Sequence, residues 1–484
     1  MASAKYQYSN FINGAWAPQP NAVTQSTSNP AHPQQEVGRY EQADLATVDA
    51  AVAAATNAQK KWRGLSFAER RSAYERLVSA IESNVEGLAE AITLEMGKPL
   101  REARNEVLKS CAEARFMSAH ALEVSGGRNM PALRSGMKNE IRLRPRGVIA
   151  AIAPWNFPVM TPMRKLAPAL AYGNAIILKP SEFTPAACCM LADLTRGTLP
   201  PGLLQVVHGG PQVADYLVRH PGVQGVTFTG SVATGRKIRS ATASNLAETA
   251  LEMGGKNAAV IHDVDDIESC LDQITDAAFM SSGQRCTAVS RVLVRRDLHD
   301  TVVAGLARRA EAFTLGDGLV PTSDLGPMTH PAQLAHVEGM VRRALNEGAQ
   351  IAAGGNRAVV PGCIDGLFYS PTVLRSVQPT MEIAREEVFG PVLCVIPYDT
   401  LEEAISILNA TEYGLTAALF SHDTRVVERF VGECQTGMLH VNHGTIPDSH
   451  MPFGGIKSSG VGAYSVGPSA ASFYTTEHAV YVGA

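Results

Sequence analysis

GVIAAIAPWNFP (147–158), NAIILKPSE (174–182), LLQVVH (203–208), GVTFTGS (225–231) and NAAVIH (257–262) follow one another along the chain, separated by stretches with helical spacing. Each contains a short run that is almost wholly apolar. A run of this length without alternation reads as a strand covered on both faces. Helices fill the intervals. One is expected to open with Thr184 as N-cap and Pro185 in the first helical position, where the missing N–H is harmless. Such β-α-β alternation predicts an α/β fold with a parallel sheet, and ligands at the carboxyl ends of its strands. A second series runs from about Asp265 to Val441 and includes SRVLVR (290–295), PVLCVIPY (391–398), LTAALF (415–420) and GMLHVN (437–442).

Outward from this centre, the first 45 residues read as strand and loop. VDAAVAAATNAQKKW (48–62) has apolar spacing suited to one helix face, and Ser66 with Glu69 forms an S-x-x-E capping box before another amphipathic run. Helical register then continues from residue 84 to Ala121. The tail FYTTEHAVYV (473–482) alternates as a strand that needs a partner sheet, in this chain or in another subunit. No internal repeat is evident.

With 484 residues the chain is too long for one ordinary core, so two or three domains are expected. A charged fraction of 18% and a net charge of −4 describe a globular protein with no general attraction to nucleic acid or anionic membranes. The N-terminal MASAKYQYSN has no apolar core of a secretory signal, and the apolar windows are shorter than the roughly 20 residues of a membrane span. Cys111, Cys188, Cys189, Cys270, Cys286, Cys363, Cys394 and Cys434 show no C-x-x-C spacing, so neither a metal site nor a disulfide framework is suggested. A cytoplasmic enzyme with reduced thiols is the expectation.

At the strand ends stand APWNFP (153–158), KPSE (179–182), FTGS (228–231), LEMGGKN (251–257), GQRC (283–286), EEVFGP (386–391) and MPFGGIKSSG (451–460). In this order and at these spacings they resemble the aldehyde dehydrogenase superfamily over essentially the whole chain. The resemblance implies a Rossmann-like NAD(P)-binding domain in residues 1–123 and 145–255, and an α/β catalytic domain in 256–440. It also implies a small β oligomerisation element in 124–144 and 460–484, with 441–459 as a substrate-funnel and linker segment. A homodimer or homotetramer would follow. The G-x-G-x-x-G fingerprint is missing after the first strand, as the family's variant cofactor fold leads one to expect.

Cys286 matches the family's nucleophile: it would attack the aldehyde carbon and pass through a thiohemiacetal to a thioester. The resemblance assigns the oxyanion donors to the Asn156 amide and the Cys286 backbone N–H. It assigns thioester hydrolysis to Glu252 as general base. Members that release thioesters to coenzyme A generally lack this glutamate, so a free acid product is expected. Where the family often carries Arg-Glu after the KxSG segment, this chain has Ala463 and Tyr464, leaving base catalysis to Glu252 alone.

For the cofactor, the resemblance places Lys179 and Glu182 on the adenosine ribose and Gly230 and Ser231 at a helix start facing the pyrophosphate. Glu387 would hold the nicotinamide ribose, Phe389 would pack beside the ring, and Pro154 and Trp155 would line the crevice. An acidic group near the 2′-hydroxyl repels a 2′-phosphate, so NAD is expected over NADP.

Phe157, Met160, Thr161 and Arg164 are placed along the substrate funnel, with Arg285 and Thr287 flanking the nucleophile and Phe453, His443 and His450 closing the other side. Succinate-semialdehyde dehydrogenases bind the distal carboxylate with an arginine at the Arg164 position, a task suited to its planar fork. Against a strict enzyme of that kind, Met280 stands where such enzymes often carry another arginine. Benzaldehyde and vanillin dehydrogenases also have arginine at the Arg164 position, but usually GGNS in place of GGKN. The stretches around PWNFP, LEMGGKN and SGQRCTA are more similar to α-ketoglutarate-semialdehyde dehydrogenases, so a short anionic semialdehyde is the first expectation. An aromatic aldehyde, a coenzyme A-acylating reaction and a non-catalytic binding protein are the alternatives.

Overall fold

The structure, a computed structural model, describes residues 4–483; the first three residues of the N-terminal stretch read above lie outside it. Its centre is an eight-stranded sheet. Five strands run parallel in the spatial order Glu248–Met253, Gly225–Gly230, Val148–Ile152, Ala175–Lys179, Leu204–Val206. Val148–Ile152 and Ala175–Lys179 are buried at every position, which is why they read as continuous apolar runs. Antiparallel strands finish both edges: Gly460–Val461 beside Leu251 and Glu252, and the Asn10–Ile12/Ala15–Ala17 hairpin beside Val206.

The second series forms a seven-stranded sheet in the order Gln350–Ala353, Thr372–Arg375, Val392–Tyr398, Val289–Arg295, Asn257–Asp263, Thr416–Ser421, Met438–Val441. All its pairings are parallel except that of Gln350–Ala353. A small third sheet joins Arg128–Met130, Met137–Pro145 and the tail strand Thr475–Gly483, whose partner therefore lies in the same chain. Residues 460–474 do not enter this sheet. Gly460–Val461 edges the first sheet, and Ala470, Phe473 and Tyr474 are buried in its core. Among the described residues no helix is long and apolar enough to cross a membrane.

Four helices precede Val148–Ile152: α1 (Leu45–Trp62), α2 (Phe67–Ser83), α3 (Val85–Met96) and α4 (Leu100–Val124). The Ser66–Glu69 capping box is present at α2. The register read as continuous from 84 to 121 is in fact broken. Gly97 ends α3 with φ +94°, a conformation costly for any residue with a Cβ, and Pro99 keeps Lys98 out of helical conformation. The helix start expected at Thr184 also differs. The segment Ala186–Thr195 begins after Pro185, while the Thr184 hydroxyl donates to the Trp155 carbonyl. The first helical amide, of Ala186, donates to the Glu95 carboxylate of α3, so the cap comes from tertiary structure.

Helix α5 (Met160–Ala171) is buried along its whole length and carries the site's entry wall. Its start is fixed from α4: one Glu106 oxygen accepts the Val159 and Met160 amides at 2.8 and 2.9 Å. The other accepts the buried Lys98 ammonium at 2.9 Å. A carboxylate is the expected cap for a helix N-terminus, and here it also neutralises a buried cation. Glu106→Ala should therefore cost about 3–5 kcal/mol, the usual penalty for orphaning one partner of a buried ion pair. Urea unfolding of the purified variant measures this, and a loss under about 1 kcal/mol would show that the pair does not anchor α5.

Candidate active site

A cleft of about 570 Å³ opens at the carboxyl ends of the first sheet and is lined by both large sheets' loops. Cys286 lies in it, on the loop between the helix Ile267–Phe279 and the strand Val289–Arg295. That loop is wound tightly: Ser281, Ser282 and Gly283 have φ of 55°, 54° and 67°. Conformations so costly persist only where the surroundings impose them. Here the Ser282 hydroxyl donates to the Gly326 carbonyl, and the Gln284 side chain donates to Pro327 and accepts the Thr329 amide. On the far side Asn257 donates to the Cys286 and Ala288 carbonyls at 2.7 and 2.8 Å. The motif residues Gln284 and Asn257 thus hold the backbone around Cys286.

Asn156 precedes α5 and donates one amide hydrogen to the Gln284 carbonyl at 2.9 Å, leaving its second N–H for the cleft. Among the described residues the Cys286 N–H has no acceptor. Burial, reinforced by the charges of Glu252 and Glu387, pushes the Cys286 thiol up to about 12, with Arg164 and Arg285 opposing weakly.

Glu252 sits near the end of its strand, paired in register with Thr229. One of its oxygens accepts the Ser465 amide at 3.2 Å, and the other lies 3.5 Å from the Thr229 hydroxyl. Behind them the wholly buried Lys165 donates to Thr229 and Thr227, and burial lowers its ammonium to about 8. Tyr464, in the segment where relatives often carry a second acid, packs its ring against Gly454, where even a Cβ would come within 2.4 Å.

On the opposite side Ser231 caps the ten-residue helix Val232–Ala241, and Gly230 and Ser231 line the cleft. Glu387 accepts the Gly255 amide at 3.0 Å with one oxygen; burial pushes its carboxyl up to about 7. Gly254 permits this approach, since a Cβ there would lie 2.0 Å from the other Glu387 oxygen. Phe389 meets Trp155 edge to face at 5.3 Å, and Gln333 donates to the Val388 and Phe389 carbonyls. Helix amides, a carboxylate with one oxygen uncommitted by protein, and an aromatic wall beside Pro154 fit a nicotinamide dinucleotide. Lys179 and Glu182 stand outside this cleft. Lys179 donates to the Pro180 and Gly209 carbonyls, and Glu182 lines a neighbouring recess with Tyr40 and His208.

At the substrate end Phe157, Met160, Thr161, Arg164, Arg285, Thr287 and Phe453 all reach the cleft. His443 and His450 do not. His443 is exposed and stacked on His440, and His450 is exposed with its ring 6.3 Å from that of Phe116. Ile446 and Pro447 form that wall in their place. The Arg164 guanidinium is held bidentately by Glu113 at 2.8 and 2.7 Å and lies 4.1 Å over the Phe453 ring. Burial works against its charge, and Glu113 more than restores it.

Sequence reasoning missed Glu102, Asn105 and Lys109, which line the funnel from α4. Their i, i+3, i+7 spacing on one helix face was the available signal, but such residues also describe a solvated face. Among the described residues no cluster of acidic, histidine or cysteine side chains is placed to hold a metal ion.

The model of the Aldehyde dehydrogenase family matches residues 16–480. An α-ketoglutaric semialdehyde dehydrogenase of Bacillus subtilis is 34% identical over 478 residues, 98% of each chain. Among solved structures, a 3,6-anhydro-L-galactose dehydrogenase in complex with NAP superposes with a TM-score of 0.95 at 31% identity, covering 99% of this chain and 100% of the other. A betaine aldehyde dehydrogenase of Staphylococcus aureus in complex with NAD⁺ gives 0.94 at 30% identity, covering 98% and 94%. With its motifs gathered in one cleft and the family match spanning nearly its full length, the chain belongs to the aldehyde dehydrogenase family, the NAD(P)-dependent oxidoreductases of aldehydes.

Proposed function

We propose that this protein oxidises a short aldehyde bearing a distal carboxylate or sulfonate to the acid, with NAD⁺ as the preferred acceptor. The charge left over in the funnel carries the substrate reading. Lys98 is paired with Glu106 and Arg164 with Glu113, whereas Lys109 and Arg285 have no carboxylate within ion-pairing distance among the described residues. Unpaired basic charge disfavours a cation such as betaine aldehyde and suits an anion such as α-ketoglutaric semialdehyde.

The Cys286 sulfur attacks the carbonyl carbon. Because its environment holds it as a thiol near neutrality, its proton passes to solvent in the open cleft as the S–C bond forms. The resulting alkoxide is met by the free Asn156 amide hydrogen and the Cys286 N–H, donors fixed before the substrate arrives. Bound nicotinamide supplies the hydride acceptor, and Gly230, Ser231, Glu387, Phe389 and Trp155 are the residues that would hold it. Glu252, fastened by Ser465 and backed by Thr229, removes the proton of the water that opens the thioester. Glu182, in the recess beside the cleft and 3.8 Å from the Lys179 ammonium, is where the adenosine ribose would come to lie, and its charge would repel a 2′-phosphate there.

NADH formation across acidic semialdehydes, betaine aldehyde, benzaldehyde and neutral aldehydes of matched length tests the substrate reading. The acidic compounds should give the highest kcat/KM, and a preference for benzaldehyde or betaine aldehyde would overturn it. Cys286→Ala should bind NAD⁺ and lose all turnover. Glu252→Gln should give a burst of NADH followed by turnover slowed about 10²–10⁴-fold, the usual range for a lost general base. Removing that negative charge should also move the pH profile of Cys286 alkylation in the free enzyme to lower pH, because Glu252 raises the thiol. Glu182→Gln should narrow the NAD⁺ preference; wild-type enzyme favouring NADP⁺ would contradict the assignment.

A further inference from the structure

We propose that Arg285 and Lys109 hold the substrate's distal anion, and that Arg164 is a positioning residue whose fork is already spent on Glu113. This assignment rests on the anionic-substrate reading above. Arg164 gives Glu113 both Nε and one terminal nitrogen, and its face is covered by Phe453. Without displacing that buried bidentate partner a substrate carboxylate could reach only Nη1, the one guanidinium nitrogen of Arg164 with no acceptor among the described residues.

Arg285 is in the opposite state. It is buried at 6% exposure yet lines the cleft. Only one terminal nitrogen is engaged, donating to the Ala277 and Asp276 carbonyls at 2.6 and 3.3 Å. Those carbonyls belong to the last turn of a helix and offset part of the charge. Its Nε is buried without any acceptor among the described residues. A buried donor left unsatisfied is a standing cost that a ligand anion removes.

Lys109 lines the same cleft from α4, half-buried. One of its three donors goes to the Pro447 carbonyl, and the described residues take no other. Asn105, one turn earlier on the same face, adds an amide. The acids whose charges act on this group are Glu102 and Asp276 at Arg285 and Glu113 and Asp448 at Lys109; of these Glu113 is held by Arg164, and Glu102 accepts the Ser281 hydroxyl at 2.6 Å with its carboxyl pushed by burial toward the neutral form. Arg285, Lys109 and Cys286 all line one cleft of about 570 Å³, so the anion and the aldehyde must fit inside that cleft together. The pocket therefore selects a short dicarboxylate semialdehyde or its sulfonate analogue.

The test compares Arg285→Leu, Lys109→Met and Arg164→Leu on an acidic semialdehyde and a neutral aldehyde of equal length. The acid-to-neutral ratio of kcat/KM should fall about ten- to a hundredfold in Arg285→Leu, mostly through KM, with a smaller fall in Lys109→Met. Arg164→Leu should lose activity on both substrates alike and keep the ratio. A ratio that collapses only in Arg164→Leu would overturn the assignment. Protection of Cys286 from iodoacetamide by succinate or glutarate gives a readout without turnover. It should be lost in the Arg285 and Lys109 variants and kept in Arg164→Leu; the reverse pattern again overturns the proposal. Wild-type enzyme with no preference for acidic over neutral aldehydes would refute the underlying substrate reading itself, a result distinct from a wrongly placed clamp.

Discussion

Two carboxylates on α4, Glu106 and Glu113, take up the N-terminal amides of α5 and the guanidinium of its Arg164. Seven residues apart, they lie about two helical turns from one another on one face. Between them they fix both the start and the middle of a helix with no exposed residue. Asn156 and Phe157 lie just ahead of that start, so the placement of Asn156, the proposed oxyanion donor, depends on carboxylates of a neighbouring helix that take no part in the proposed bond-making steps. Each acid neutralises a buried cation, Lys98 or Arg164, and such arrangements fail badly when half is removed. The apolar packing of α5 supplies adhesion, and the two ion pairs supply position.

Burial also sets the protonation of the site. The Cys286 thiol and the Glu387 carboxyl are pushed upward and the Lys165 ammonium downward. Near neutrality Cys286 is thus a thiol, Glu387 is close to its midpoint, and Lys165 behind the cleft keeps most of its charge. In so buried a setting each preorganised donor is worth more when negative charge develops on the substrate.

The parallel sheets were legible because a doubly covered strand must be apolar at every position, as Val148–Ile152 and Ala175–Lys179 are. That Cys286, Glu252 and Asn156, the residues proposed for catalysis, would meet was legible because loops at strand ends carry unusual motifs, and the fold gathers all three into one cleft. What escaped was set by contacts between distant segments. The break at Gly97 looks like ordinary helix until Pro327 and Pro30 are seen crowding its missing side chain. The cap of Ala186 came from Glu95 of α3, out of reach of any local pattern. His443 and His450 carry polar groups in the right segment, but the Ile446–Pro447 turn takes the wall they were expected to form. Lys109 lay on a helix face that resembles many solvated ones.

Gly283 brings the nucleophile loop against another loop of the site. A Cβ at this position would lie 2.2 Å from the Gly390 carbonyl oxygen, one residue beyond Phe389. No side chain fits between these backbones, so neither loop can advance into the other or be wedged from it by substitution at 283. Displacing the segment that carries Glu387 and Phe389 therefore presses directly on the backbone that presents Cys286. The thiol and the cofactor's seat are mechanically one piece, and whatever energy links them acts equally in both directions.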